Sequence, residues 1–156
     1  MTQRSVTHAT FVIERTYDAA PERVFAAFAT SEAKTQWFGG PEEWGPGRHE
    51  LDFRIGGHER SSAGPKGGPA HIYDATFYDI VPNERIVTSY EMYFDTTRIS
   101  VSLATMELKR DGARTRMTYT EQGAFLDGFD GAEGREEGTR ELLGKLVAAL
   151  NRQMAI

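Results

Sequence analysis

The order of its parts constrains this chain most. A short amphipathic segment, PERVFAAFAT at 21–30, comes early, and a long one, EEGTRELLGKLVAAL at 136–150, comes last. Between them the sequence alternates with period two and is broken by Gly and Pro turns. The closing segment predicts a helix with Leu142, Leu143, Leu146, Val147, Leu150 and Met154 on one stripe. Burying each of these stabilises by roughly 1.5–3 kcal/mol before entropy, about 10 kcal/mol for the stripe, comparable to the net stability of a domain. The helix is therefore structural first, and the only surface that can cover its stripe is the sheet before it. A curved sheet gripping one helix leaves a cavity, and concave apolar cavities bind small molecules.

The pass along the chain gives the rest of the plan. Residues 1–7 are polar and read as a frayed tail. The stretch 8–17 alternates, with Phe11, Ile13 and Tyr17 on one side, and predicts a strand. Asp18 is placed to cap the first helix, and Pro21 suits its first turn. Ser31 is placed to cap a second short helix carrying Trp37 and Phe38, which Gly39, Gly40 and Pro41 stop. Leu51, Phe53 and Ile55 predict one face of a second strand. Further strands are predicted at 59–63, 72–81, 86–94, 99–110 and 115–122. The Gly- and acid-rich stretch 123–138 reads as a mobile loop, and with 56–69 it has the composition of a lid. With no repeat or linker, residues 1–156 are read as a single domain.

Composition excludes several functions. The net charge of -5 opposes a nucleic-acid partner, because phosphate binding needs a basic surface. The absence of cysteine removes disulfides, thiolate metal sites and Cys nucleophiles. No apolar run is long enough for a leader or a membrane span, so neither membrane insertion nor export is expected, and the cytoplasm is the default location.

Four motifs, PERVFAAFAT with QWFG at 36–39, DFRIGG at 52–57, DIVPNERIV at 79–87 and TRMTYTEQGAF at 115–125, carry a resemblance. With them the chain resembles the helix-grip superfamily of START lipid-transfer domains, Bet v 1-like proteins and polyketide cyclases. Within it the chain is most similar to homologues of the activator of the heat-shock-protein-90 ATPase. The likeness runs over about 8–152. It implies an α+β helix-grip fold: a curved antiparallel sheet of about seven strands around a long C-terminal helix, with two short helices after strand one. One position departs from the family pattern. Thr139 stands where the family often has Trp, just after the acid–Gly pair that opens the last helix.

Chemistry is sparse. His8, His49, His58 and His71 are scattered without metal-ligand spacing and read as surface or strand-edge residues, so no metal is expected. The acidic loop with Asp127, Asp130 and Glu133 lacks the ligand alternation of a calcium loop. The segment 64–68 with Lys66 lacks the setting of a phosphate loop, and no serine stands in a nucleophile elbow. No cofactor is expected. What remains is aromatic. The residues expected to line a cavity are Phe28, Trp37, Phe38, Phe53, Phe77, Tyr90, Met92, Tyr119 and Glu121. Leu143, Leu146, Val147 and Leu150 of the last helix complete the wall. Trp44 fits either the cavity or the surface.

Glu121 follows Met117 and Tyr119 on the alternation and should point inward, where it could touch a ligand or move a proton. The alternative is that Glu121 pairs with an arginine, such as Arg54 if the local twist turns it inward, or lies at the open rim; Glu107 is read as inward on the same face as Val101 and Leu103. Three functions are compatible with these features. One is binding or carrying of a small hydrophobic molecule (a lipid, an aromatic or a polyketide-like compound). The second is a cyclase, aromatase or hydrolase acting on such a molecule. The third is a co-chaperone-like interaction module. A homodimer through an edge strand is a further expectation.

Overall fold

A computed structural model describes residues 3–129 and 131–154, with only the backbone at 153 and 154. Seven strands form one antiparallel sheet in the order β1-β7-β6-β5-β4-β3-β2. They are β1 (Val6–Tyr17), β2 (Arg48–Leu51), β3 (His58–Ala63), β4 (His71–Val81), β5 (Arg85–Phe94), β6 (Thr97–Asp111) and β7 (Arg114–Leu126). Two short helices, α1 (Pro21–Ala29) and α2 (Ser31–Lys34), follow β1, and a long helix, α3 (Ala132–Met154), closes the chain. No helix among the described residues is long and apolar enough to cross a membrane.

Alternation decides which face of each strand is buried. On β1, Phe11, Ile13 and Tyr17 point inward while Val12 stays half exposed. The strand starts at Val6, not at residue 8, because Val6 and Thr7 pair with Leu126 and Phe125 and the Asp127 amide reaches the Ser5 carbonyl. The capping residues also differ from those expected. Ala20 precedes α1 without a side-chain cap: Pro21 has no N–H to satisfy, and the Ala20 carbonyl accepts from Arg23 and Val24. Thr30, not Ser31, caps α2, its hydroxyl accepting from the Ala33 amide at 3.1 Å. Helix α2 ends at Lys34, so Trp37 and Phe38 lie in the turns after it, and Trp37 Nε1 donates to the Ala27 carbonyl at 3.0 Å.

The predicted second strand is shifted. β2 stops at Leu51, and the chain turns through 54–56, leaving Ile55 exposed. Gly56 holds a φ of 83°, a left-handed conformation that makes this turn. Its amide donates to the Phe77 carbonyl, and the Phe77 amide donates to the Gly57 carbonyl, so the turn is laced to β4 beside a bulge between Phe77 and Asp79.

The largest correction concerns 123–138. β7 continues to Leu126, and α3 begins at Ala132, so of the described residues only 127–129 and 131 fall between them. Gly123 sits in register between Ala9 and Ser102, where an added Cβ would come within 2.9 Å of the Phe125 ring. This glycine is a close-packed strand residue, and the strand needs it. The acid–Gly pair at 137–138 lies inside the helix and does not open it. The expected lid 56–69 is shortened in the same way, because 58–63 is β3.

The core forms where the C-terminal half of α3 meets β1 and α1. Leu143, Leu146, Ala149 and Leu150 are buried there against Ile13, Tyr17, Val24 and Phe28. The buried stripe runs through Ala149, whereas Val147 is 39 % exposed. At about 100° per residue, Val147 lies roughly 90° round the helix from the middle of the stripe formed by Leu143, Leu146, Ala149 and Leu150. Met154 has no described side chain. Tyr17 ties the layers together by donating to the Leu143 carbonyl at 2.9 Å.

Candidate functional site

Two polar clusters lie buried on the concave face, joined by aromatic rings in edge-on and tilted contact. The first is centred on Glu121, fully buried on β7 below Met117 and Tyr119 on the same alternation. Tyr90 Oη donates to Glu121 Oε2 at 2.6 Å and Tyr119 Oη donates to Oε1 at 2.8 Å. The arginine beside it is Arg135 of α3, 3.5 Å away. Arg54 instead turns outward and pairs with Asp52. Arg135 also donates to Tyr90 Oη at 3.0 Å and to Ser100 Oγ at 2.7 Å, with its guanidinium over the Phe125 and Tyr90 rings.

The second cluster is centred on Glu59, fully buried on β3. Lys34 Nζ donates to Oε1 at 2.6 Å, and His49 Nε2 lies 2.8 Å from Oε2. Ser31 Oγ meets His49 Nδ1 at 2.7 Å. A serine donating to Nδ1 leaves the ring proton on Nε2, pointing at Glu59. His49 is thus a buried link and departs from its expected place on the surface, its side chain being 8 % exposed. Burial pushes the Glu59 carboxyl up. The charge of Lys34 and the hydrogen bonds from His49 and Lys34 outweigh that and hold it below its ordinary value.

Tyr73 links the clusters. Its ring lies 5.1 Å from Phe38 and 4.7 Å from Tyr90, and Lys34 Nζ stands 4.7 Å above Phe38. Burial first, and then the charges of Glu59, Tyr90 and Glu121, push the Tyr73 hydroxyl well above its ordinary value. Burial and Glu121 do the same to Tyr119 and Tyr90. Yet Tyr73 and Tyr119 keep solvent-accessible surface, as do Phe38, Met92 and Thr139. Side chains that face inward yet keep solvent contact mark a recess on the concave face, by the N-terminal half of α3 and beside Arg135.

The expected lining residues divide between core and recess. Phe28, Trp37, Phe77, Leu143, Leu146 and Leu150 pack in the core, and Phe53 sits edge-on between Phe25 and Phe77. Phe38, Tyr90, Met92, Tyr119 and Glu121 are gathered around Tyr73. Val147 points away from both. Glu107 faces outward with Val101 and Leu103, because the inward face of β6 is Ser100, Ser102, Ala104, Met106 and Leu108. Trp44 lies tilted against His71, their ring centroids 4.7 Å apart, half-buried at the sheet margin. Asp130 lies outside the described residues.

Tyr73, Arg135, Ser100, Lys34 and Glu59 were not among the expected site residues. Tyr73 shares the alternation of Ala75 and Phe77 and was readable as inward. Arg135 was hidden by the loop assignment, and nothing local marks Lys34 or Glu59.

Two clefts open elsewhere. One of about 470 Å³ is bordered by Arg4, Arg98, Asp127 and Phe129 at one end of the sheet. The other, about 170 Å³, lies along Glu14–Thr16 and Arg116–Thr118. Neither lies between the sheet and α3.

Comparison with known proteins agrees with this architecture. The family model described as Activator of Hsp90 ATPase homolog 1-like protein matches residues 18–151. A crystal structure from Rhizobium loti is 50% identical, with a TM-score of 0.86, over 93% of this chain and 99% of that one. A structure from Rhizobium leguminosarum is 46% identical, with a TM-score of 0.91, over 97% and 99%. A protein of the dynemicin biosynthetic locus is 16% identical, with a TM-score of 0.67, over 91% of this chain and 47% of its own, and shares the fold alone. No curated protein matches.

Proposed function

Because the chain belongs to the Activator of Hsp90 ATPase homolog 1-like family, whose helix-grip fold is compatible with ligand binding, we propose that it binds a small ring-bearing apolar molecule in the recess beside Arg135. One observation carries this reading: Tyr73 and Tyr119 face inward beside buried Tyr90 and Glu121 yet remain partly accessible. Around them stand Phe38 and Met92 as apolar wall and Glu121 and Arg135 as fixed polar groups. Aromatic walls with a few convergent polar atoms suit ring stacking and orientation. The test is native mass spectrometry of the purified protein, with extraction and identification of any small molecule carried along. A bound aromatic or polyketide-like compound supports the reading. An empty protein that also ignores a panel of lipids and aromatics overturns it, and capture of a partner protein becomes the next assay.

A second reading rests on the 2.6 Å bond between Tyr90 and Glu121. A phenol that donates to a carboxylate can relay a proton: Tyr90 Oη takes one from a ligand as its own passes to Glu121, and the reverse step returns it, so a cyclase- or hydrolase-like reaction fits the same recess. Holding a reactive chain in shape requires few further groups. Turnover of a bound compound that Glu121→Gln abolishes without unfolding the protein would support it. Unchanged turnover would remove Glu121 from the chemistry.

A further inference from the structure

The floor of the recess is uneven for a reason written in the register. Ala75, Tyr90, Ser102 and Gly123 are successive partners across β4, β5, β6 and β7. Three of these four are small, and the Phe125 ring lies over Gly123, so the Ser102 hydroxyl stands between the Tyr90 and Phe125 rings. Ser102 is 3 % exposed, and its Oγ has no hydrogen-bond partner among the described residues. Buried hydroxyls are nearly always paired, so an unpaired one on this face points to a missing partner. The neighbouring charges are already matched: the Glu121 carboxylate accepts from two tyrosines and faces Arg135. A charged head group entering here would be attracted by one of these residues and repelled by the other. A neutral oxygen meets neither penalty, and a serine hydroxyl can donate to a carbonyl or bond a hydroxyl either way.

We propose that the occupant of the recess presents a neutral oxygen, a hydroxyl or a carbonyl, to the Ser102 side chain. This rests on the small-molecule reading of the same recess and adds the polar feature by which the site selects its ring.

Three rings of one shape test it by equilibrium dialysis: naphthalene, 2-naphthol and 2-naphthoate, against the native protein and Ser102→Ala. The expected result is that 2-naphthol binds roughly tenfold tighter than the other two, the gain of one buried hydrogen bond. Ser102→Ala should abolish that preference and leave naphthalene binding unchanged. Equal binding of naphthalene and 2-naphthol, a preference that survives in Ser102→Ala, or tightest binding of 2-naphthoate would each overturn the inference while leaving the ring-binding reading intact. Binding of none of the three would overturn both. The ligand-free variant gives a separate check. Ser102→Ala should melt at or above the native temperature, since the hydroxyl it removes is unpaired. A clear fall would show that the hydroxyl is already satisfied, which also overturns the inference.

Discussion

The two halves of α3 are held by different physics. The C-terminal half buries Leu143, Leu146, Ala149 and Leu150 against β1 and α1 and receives the Tyr17 hydroxyl at Leu143. The N-terminal half has no such stripe. It carries Gly134 and Gly138, and its tie to the sheet is polar, through Arg135 to Tyr90 and Ser100 and towards Glu121. Apolar burial is non-directional and does not switch off locally, whereas a polar latch can be exchanged for bonds to something else. The same helix is thus an apolar anchor at one end and a polar latch at the other, and the proposed binding recess lies at the latch.

The largest expected effect breaks the polar side of this contrast. Lys34→Ala leaves Glu59 fully buried without its ammonium partner, and stability should fall by about 3–5 kcal/mol in denaturant titration. The same carboxyl sets an acid limit. It is held below its ordinary value, so the unfolded chain takes up its proton at a higher pH than the folded one. Its contribution is complete above the unfolded carboxylate value of about 4.3. It fades as pH falls through the lower folded value, and Glu59→Gln should flatten that limb.

Leu146→Ala removes a side chain with no exposure from the anchor half and should cost about 3 kcal/mol. Arg135→Ala takes the cation from buried Glu121 as well, but the pair is longer and Glu121 keeps two tyrosine donors, so the cost should be smaller, about 1.5–3 kcal/mol. Its signature is local: amide exchange should quicken over 132–141 while 142–150 stays protected. If exchange quickens equally along both halves, the contrast is wrong. Val147→Ala, on the exposed side of the anchor half, should change stability by less than about 0.5 kcal/mol.

The alkaline side sharpens the picture of the recess. Burial pushes the hydroxyls of Tyr17, Tyr73, Tyr90 and Tyr119 above their ordinary value. Each then favours the folded state fully below about pH 10, and that contribution is lost as pH rises further. Phenolate absorbance should show these four tyrosines ionising only as the protein unfolds.

Much of this was legible in the sequence, and the gaps have physical causes. Strand faces were readable wherever one face is buried, which is why Phe11, Ile13, Met117 and Glu121 were placed inward correctly. Glu107 was misplaced because Val101 and Leu103 are apolar yet lie on the outer face of β6. Apolar residues commonly remain on surfaces, so composition alone cannot decide a face. The start of α3 was missed because glycine and acid usually mark loops. Here the anchor half, the Glu136–Arg140 pair and the Arg135 contacts hold those residues in a helix. The partner of Glu121 was hidden by the same error. The Lys34–Glu59–His49 cluster joins three elements through long-range packing, and no local pattern encodes that.

The most direct test is amide chemical-shift mapping by NMR as 2-naphthol is titrated into the protein. Shifts are expected at Tyr73, Tyr90, Ser102 and Arg135 and none around Leu146. Shifts confined to Thr96–Arg98 and Asp127–Phe129, at the open cleft, or no shifts at all, would contradict binding in the recess.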